Sequence, residues 1–285
     1  MSLWILIPVH NRAATTRTCL QRLHNLGIPA WAEVLVANDG STDGTAAMLD
    51  AEFPRVRVTH GDGGWWWAGA IRAAMEEAAR QGAEAICWLN DDTLPAPGAL
   101  EKLFALAVQT QGICGGLSRT DSAGGMTYSG GTMRHRWPAQ LPSSHAGAVE
   151  WLHGNLVVIH SSVWQKLGLP CTRGTIHNFA DIEYTYQAHR QGIPVCLVPE
   201  ATAMASANCS ASYHSWRDDS LSWLEVWRGF FNPKVWWYFP GLAAFKTRSF
   251  GLPGAWDCAV VLGKAALLPL YKILKKLSAR STRSR

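Results

Sequence analysis

The 285-residue chain lacks the patterns that mark several classes of protein. Its seven cysteines include no Cys-x-x-Cys pair, which argues against both a disulfide framework and a zinc site. Its first residues contain no basic region and no small-residue cleavage site before an apolar run begins. We therefore expect no signal peptide and a cytoplasmic location.

An uninterrupted apolar run of the length that a membrane-spanning helix needs, about 20 residues, is also missing. The nearest candidate, residues 255–277, is broken by four lysines and a proline. A helix lying in the membrane interface fits this pattern better, with its lysines toward phosphates and its leucines toward the acyl chains. Those apolar residues are Leu267, Leu270, Ile273, Leu274 and Leu277. The alternative is that the same helix packs on the protein's own core and ends in a frayed basic tail.

The chain is 48% hydrophobic, so most of its length is expected to fold, and it has an unusually high count of 15 Trp. Its charge is unevenly distributed. From Arg228 onward there are eleven Lys or Arg and a single acid, Asp257, which gives +10 in a chain whose total is +5. The first 227 residues therefore carry about −5, and the two parts should meet different partners. A basic tail suits an anionic membrane, and the absence of a recognised nucleic-acid motif leads us to expect no nucleic-acid partner.

Short apolar runs alternate with helical patterns through the first half. Residues 3–9 form a nearly continuous apolar run, as in a strand covered on both faces of a parallel sheet. The further predicted strands are 33–37, 56–59, 85–89, 155–159 and 195–198, and the predicted helices are 16–26, 45–50, 68–81, 98–109 and 181–190. This alternation predicts an α/β fold whose ligands bind at the carboxyl ends of the strands. After about Ser220 we expect an appended helical segment.

Four of these strand ends carry polar residues, in the segments 8–11, 38–43, 61–64 and 90–92. In a parallel sheet they would meet at one edge. Asp91 and Asp92 offer paired hard oxygens, which suit a divalent cation that holds phosphate oxygens. Each segment has an ordinary alternative as a turn or a cap. For the acidic pair, the alternative is an Asp capping a helix over 93–95.

These segments together resemble the family 2 nucleotide-sugar glycosyltransferases, over residues 3 to about 200. The motifs are Ile-Pro-Val-His-Asn-Arg, Val-Ala-Asn-Asp-Gly-Ser-Thr-Asp-Gly-Thr, Gly-Asp-Gly-Gly-Trp-Trp-Trp-Ala-Gly-Ala and Leu-Asn-Asp-Asp, in that order. The resemblance implies a GT-A-like fold, a mixed and mostly parallel sheet flanked by helices. It also implies inverting sugar transfer and a divalent metal, Mn²⁺ or Mg²⁺. We expect the donor to be a UDP- or dTDP-sugar. We expect the acceptor to be a glycan or lipid-linked molecule, because the basic, aromatic tail suits an acceptor held at the membrane.

The same resemblance assigns residues to the donor. It implies that Pro8, Val9 and Asn11 line the nucleobase pocket. Asp39 matches the carboxylate that reads the base or ribose, and Asp91 matches the ribose or sugar contact of the family's Asp-x-Asp motif.

On the metal side, the resemblance makes Asp92 a ligand and His214 a further candidate ligand. The chain departs from the family pattern at Asn38, where a second acid is frequent, and at His10, where Tyr is frequent. These departures concern the choice of base more than the reaction.

On the acceptor side, Asp181 resembles the catalytic base, which takes the proton of the attacking hydroxyl. Helix capping by Asp181 is its ordinary alternative. Glu183 would orient the acceptor or support the site. Gly154 and Asn155 resemble the family's acceptor-side Gly-Asn stretch, and Gly154 permits close backbone approach to a sugar.

The loop after the third predicted strand supplies two further expected substrate contacts, Gly64 and Trp67. The run Trp65–Trp67 is a candidate platform for a sugar or acceptor, and ordinary packing should account for at least one of its three rings.

We expect a glycosyltransferase domain over residues 1–220, with a nucleotide-sugar half at 1–110 and an acceptor half at 111–220. A helical, basic extension at 221–285 would associate with the inner face of the plasma membrane. A nucleotidyltransferase on a similar sheet is one rival, but it would place a Gly-rich loop with Lys or Arg over the phosphates right after the first strand. A non-catalytic nucleotide-sugar or glycan-binding module is the other, and the presence of Asp91, Asp92 and Asp181 together argues against it.

Overall fold

The structure, a computed structural model, describes residues 2–120, 127–205 and 220–283. Its strands are β1 (Leu3–Val9), β2 (Ala32–Asp39), β3 (Arg57–Gly61), β4 (Ala85–Leu89), β5 (Thr93–Pro95), β6 (Ile113–Thr120), β7 (Thr127–Tyr128), β8 (Gly130–Arg134), β9 (Trp137–Gln140), β10 (Gly147–Ala148), β11 (Trp151–Leu152), β12 (Leu156–His160) and β13 (Val195–Ala205). Its helices are α1 (Ala13–Asn25), α2 (Thr45–Glu52), α3 (Trp66–Arg80), α4 (Ala99–Thr110), α5 (Ser161–Leu167), α6 (Ala180–Arg190), α7 (Trp223–Phe230), α8 (Phe239–Phe250) and α9 (Leu252–Arg283).

A ten-stranded sheet dominates the described residues, with the strand order β10-β13-β6-β12-β4-β1-β2-β3 and with β5 and β7 paired at its side. The run β4-β1-β2-β3 is parallel, so these strands end at one edge. β12 enters antiparallel between β4 and β6, which brings the start of β12 to the same edge. A small antiparallel sheet, β11-β8-β9, lies beside the large one.

The core lies on both faces of the large sheet, which explains why the β1 sequence is apolar throughout. Trp4 and Leu6 belong to a buried cluster that includes α3, α5 and α6. Leu3, Ile5 and Ile7 belong to a second cluster that includes α1, α2 and α4. Successive side chains of a strand point to opposite faces, so a strand covered on both sides needs apolar residues at every position.

One alternative and one expectation from the sequence analysis are wrong in detail. Residues Thr93–Pro95 form strand β5, not a helix, so neither Asp91 nor Asp92 caps a helix there. The last strand continues beyond residue 198 to Ala205, because its second half pairs with both β6 and β5. These partner strands are distant in sequence, so local sequence patterns cannot predict the pairing.

The chain divides into two compact units. The first contains β1 through α5 and continues from Ala180 through β13, and the second contains Arg173–Phe179 and helices α7 to α9. Within the second unit, Phe179 stacks on Phe245 with ring centroids 5.2 Å apart. Among the helices in the described ranges, none combines the length and apolar character needed to cross a membrane.

Candidate active site at the carboxyl edge of the sheet

The loops that follow β1 and β2 hold each other through hydrogen bonds. The backbone N–H of Thr42 donates to Asn11 Oδ1 at 2.7 Å, and the Asn11 N–H donates to Ser41 Oγ at 2.9 Å. The Ala13 N–H donates to Asp43 Oδ2 at 2.9 Å, and this bond contributes most to lowering the pKa of Asp43. Asn11 therefore shapes the loop where the sequence predicts a nucleobase pocket.

The two other residues predicted for that pocket stand at the end of β1. Val9 is buried in the sheet core, whereas Pro8 is half-buried. Of the two, Pro8 therefore has the more accessible surface for a nucleobase, and Val9 packs in the core beneath it.

Asp39 organises the loop after β3. Its Oδ1 accepts the Gly63 N–H at 2.8 Å, and its Oδ2 accepts the N–H groups of Trp65 and Trp66 at 2.9 and 3.0 Å. The side chain is buried, and hydrogen bonds to an ionised acceptor are among the stronger ones in proteins. This geometry favours a loop-shaping role for Asp39 over direct contact with a base or ribose.

The loop that Asp39 holds presents Gly64, and helix α3, which follows that loop, presents Trp67. Gly64 is exposed, and its N–H donates to Asp62 Oδ1 at 2.9 Å. Trp67 Nε1 donates to Asn90 Oδ1 at 2.9 Å, and its ring meets Trp88 edge-on with centroids 5.5 Å apart. The indole of Trp67 therefore joins the third and fourth strand ends, and packing accounts for part of its surface.

A single guanidinium bridges the first strand end to the acidic pair. Arg12 Nε lies 3.1 Å from Asp91 Oδ2 and its second terminal nitrogen lies 2.9 Å from Asp92 Oδ2, while Thr16 Oγ1 also donates to Asp91 at 3.1 Å. Burial raises the pKa of Asp91 to about 7, against the lowering influence of Arg12. Burial opposes the charge of Arg12, but the two carboxylates raise its pKa overall. The ionisation of Asp91 at neutral pH thus depends on the guanidinium.

The acidic pair fits a divalent cation only in one mode. No group of three or more His, Cys, Asp or Glu that could cage a metal occurs in the part of the chain that the structure describes. Asp92 is 23% exposed, and its Oδ1 accepts no hydrogen bond from any described residue. That oxygen fits a cation whose other ligands are phosphate oxygens and water, a common way to hold Mg²⁺. His214 lies outside the described residues.

The start of β12 brings Gly154 and Asn155 to this edge. The Asn90 N–H donates to the Asn155 carbonyl at 3.3 Å, and the Gly154 N–H donates to Asp181 Oδ2 at 2.7 Å. A Cβ on Gly154 would stand 2.7 Å from Trp67 Cζ2 and 3.0 Å from Asp181 Cβ. Only glycine lets the indole and the carboxylate approach this closely, so the site joins the two halves of the first unit.

Asp181 lies in the first turn of α6, inside the helix that begins at Ala180. Its Oδ1 accepts the Ile182 N–H at 2.8 Å. This bond satisfies one of the N–H groups that the start of the helix leaves free, while the other carboxylate oxygen accepts the Gly154 N–H. One side chain therefore serves both the helix start and the site. Glu183 is buried, which favours support of the site over contact with an acceptor.

His153 also belongs to this site, although the sequence analysis assigns it no role. Its Nδ1 accepts the Ser129 N–H at 3.3 Å, and its ring lies edge-on to Trp151 and Tyr128, with centroids 4.9 and 5.6 Å away. Burial lowers the pKa of His153, and the nearby charge of Asp181 opposes this change. His153 is therefore a neutral group beside the carboxylate.

Arg12 is the second residue that sequence reasoning overlooked. The signal that identifies it is topological. Because β1 and β4 are neighbours in the sheet, a basic residue just after one faces acids just after the other. His153 carries a weaker signal, its place next to Gly154.

The family model described as Glycosyl transferase family 2 matches residues 4–158, more than half of the chain. The chain belongs to glycosyl transferase family 2. The matched range contains the first four strand ends and Gly154, and the predicted family is confirmed. Asp181 lies beyond the matched range.

Three solved structures of glycosyltransferases are similar to the chain. S. aureus TarS 1-349 is 12% identical with a TM-score of 0.55, and the match covers 72% of this chain and 60% of that one. GalNAc-T7 with UDP, GalNAc and Mn²⁺ is 14% identical with a TM-score of 0.59, and the match covers 89% of this chain and 52% of that one. The mannosyltransferase PcManGT from Pyrobaculum calidifontis with GDP-Man and Mn²⁺ is 19% identical with a TM-score of 0.56, and the match covers 97% of this chain and 83% of that one. The chain thus spans little more than half the length of the first two. At these identities the likeness establishes the fold, and it confirms the predicted GT-A-like α/β architecture. No curated protein sequence matches the chain.

Proposed function

We propose that this chain is an inverting glycosyltransferase that moves a sugar from a nucleoside diphosphate to a hydroxyl group. The observation that carries the proposal is the convergence, at one sheet edge, of Asp92 after β4 and Asp181 held by Gly154. The contacts Trp67–Asn90 and Asn90–Asn155 connect the two carboxylates through the protein. Family membership supplies the reaction class.

The donor would lie over the loops after β1 to β4. Pro8 and Asn11 would border the base, and the loop held by Asp39 would approach the ribose with Gly64. The buried Asp91 would support this end of the site through Arg12, which also contacts Asp92. We propose a UDP- or dTDP-sugar. The similar structures contain UDP in one protein and GDP-Man in another, so the base is part of the test.

Asp92 would hold Mn²⁺ or Mg²⁺, with His214 as a further candidate ligand. When bound, such a cation neutralises the negative charge that develops on the leaving diphosphate. Two of the similar structures contain Mn²⁺, which supports a divalent metal for this chain. Arg12 would also lie near that charge, because it already contacts Asp92.

Asp181 would act as the general base. As the acceptor oxygen attacks the anomeric carbon, its proton passes to a carboxylate oxygen of Asp181. The bond from the anomeric carbon to the diphosphate oxygen breaks and its electron pair leaves with the diphosphate, so the anomeric configuration inverts. The Gly154 N–H fixes the carboxylate, and Asn155 and Trp67 would border the acceptor.

We propose a lipid-linked or polysaccharide acceptor, since the basic extension at 221–285 suits an enzyme at the inner face of the plasma membrane. In this proposal residues 1–110 hold the donor and 111–220 hold the acceptor.

The experiment compares the wild-type protein with Asp92→Asn, Asp181→Asn and the exposed control Asp50→Asn, using UDP-, dTDP- and GDP-sugars with Mn²⁺ or Mg²⁺. A donor at 100 times its Kd should stabilise the wild type by roughly 2.7 kcal/mol, measured by thermal unfolding. Asp92→Asn should lose the metal-dependent part of this stabilisation. Asp181→Asn should keep it and lose about 10² to 10⁴ in turnover. Stabilisation by no donor, or full turnover by Asp181→Asn, would contradict the proposal.

A further inference from the structure

Helix α9 has two apolar faces, which lie on opposite sides of the helix. One face is buried within the second unit, through residues spaced three or four apart. These are Gly254, Cys258, Val261, Ala265 and Leu268. Burial at this spacing defines the side on which the helix docks.

The opposite face is also apolar, but it is exposed. At 3.6 residues per turn, one set of residues falls within a band about 100° wide on the side away from the docked face. We name this band the outer stripe, and it consists of Leu252, Trp256, Ala259, Gly263, Ala266, Leu267 and Leu270. Leu252 is 87% exposed, Trp256 69% and Leu267 63%.

A helix docked on a soluble core normally carries polar residues on its outer face. Here the sequence from Leu252 to Leu270 has two charged residues, and both lie off the outer stripe. Asp257 pairs with the buried Lys246 at 3.2 Å, and Lys264 stands beside the stripe. The helix does pack on the protein through its docked face, but Leu267 and Leu270 take no part in that packing and remain 63% and 55% exposed.

The charge that follows the outer stripe identifies its partner as anionic. After Leu270 the sequence has six Lys or Arg and no acid, beginning at Lys272. Trp256 and the exposed Tyr271 are of the type that lies at headgroup level, with an apolar ring and a polar tip. An apolar face followed by a basic segment is the composition of a helix that lies in the plane of an anionic bilayer.

We propose that the outer stripe of α9 binds the surface of an anionic lipid bilayer, with Leu252, Trp256, Leu267 and Leu270 entering the acyl boundary. This surface deepens the proposed function, because an enzyme held there meets a lipid-linked acceptor. Only the encounter with a lipid-linked acceptor rests on the proposed function. Lipid binding by the outer stripe requires neither donor nor turnover.

The test is sedimentation of the full chain with vesicles of phosphatidylcholine, with and without phosphatidylglycerol. The double variant Leu267→Gln/Leu270→Gln should bind anionic vesicles at least about tenfold more weakly than the wild type. The matched control, Met204→Gln, alters an exposed apolar residue of the first unit and should bind as the wild type does. Asp181→Asn should also bind normally, which separates this proposal from the proposed reaction.

Equal vesicle binding by wild type and double variant would overturn the proposal. So would a dimer in lipid-free ultracentrifugation that the double variant loses, because the outer stripe would then be a self-association surface. If the double variant fails to fold, hydrogen exchange of the wild-type chain decides. Anionic vesicles should slow exchange across residues 252–270, and unchanged exchange there would refute lipid contact.

Discussion

Arg12 joins the first and fourth strand ends through one side chain, and it does so where the proposed cation would bind. Its guanidinium supplies a positive charge to Asp91 and Asp92. Because Asp91 is buried, removal of that charge leaves a carboxylate that water cannot reach. Arg12 therefore stabilises the site before any cation binds.

Arg12→Gln should lower the free energy of unfolding by about 1–2 kcal/mol, a figure reduced because Arg12 is partly exposed and solvent screens it. Mn²⁺ without donor should then stabilise the variant more than the wild type, because the cation replaces the lost positive charge. Thermal unfolding with and without Mn²⁺ measures this difference. Arg17→Gln, which removes a surface pair with Glu52, is the control and should change little. An equal Mn²⁺ effect in all three proteins would mean that Arg12 does not substitute for a cation.

His153 gives the site a dependence on pH whose sign follows from its burial. Its pKa in the folded chain lies below the ordinary value of 6.5, so the unfolded chain binds the proton more readily. Stability therefore falls as the pH decreases from about 6.5 toward the lowered pKa, by at most about 1.4 kcal/mol per pH unit for this group.

His153→Gln should remove that contribution. Urea unfolding at about pH 7.5 and about pH 5.5 should show a smaller loss of stability for the variant than for the wild type. His24→Gln, at an exposed position of α1, should keep the wild-type loss. If the His153 variant loses as much stability as the wild type, the histidine is protonated in the folded protein.

At the scale of elements, the site depends on how closely β12 and α3 approach. Gly154→Ala should lower turnover about 10- to 100-fold, since the new Cβ displaces Trp67 or Asp181 from its position. Overpacking should also cost about 1–3 kcal/mol of stability. Gly263→Ala is the matched control, because nothing lies within 4 Å of its added Cβ and its helix should gain stability. Turnover by Gly154→Ala at the wild-type rate would show that this contact does not position the carboxylate.

The elements that local patterns predict well are those that need no distant partner. The bounds of β1 and β4 follow from continuous apolar runs, and the meeting of their polar ends follows from parallel pairing. The strand β5 depends on pairing with β13, and the extension of β13 depends on pairing with β5 and β6. The contacts of Arg12 and His153 likewise join segments far apart in sequence, so no local pattern could predict them. For Asp39, the sequence predicts the position at the end of β2. It does not predict which backbone N–H groups donate hydrogen bonds to the carboxylate.

At the scale of the whole molecule, charge is divided between the two parts of the chain, about −5 before Arg228 and +10 after it. An anionic surface should therefore attract the C-terminal part and repel the rest. Net charge alone would predict weak attraction, since the total is only +5. The location of the charges, rather than their sum, should then govern binding to anionic vesicles.

Two triple variants that change the net charge equally can distinguish the effect of where the charges lie from the effect of the total charge. Lys272→Gln/Lys275→Gln/Lys276→Gln should weaken binding to phosphatidylglycerol vesicles about a hundredfold at low salt, at about 1 kcal/mol for each lysine. Arg17→Gln/Arg57→Gln/Arg80→Gln removes three exposed charges from the first unit and should have little effect. The difference should shrink as salt rises from about 50 to about 500 mM, because the Debye length falls well below 10 Å. Equal weakening by both variants would show that total charge controls binding. The apolar outer stripe of α9 should retain part of the affinity at high salt, because burial of hydrophobic surface is not screened.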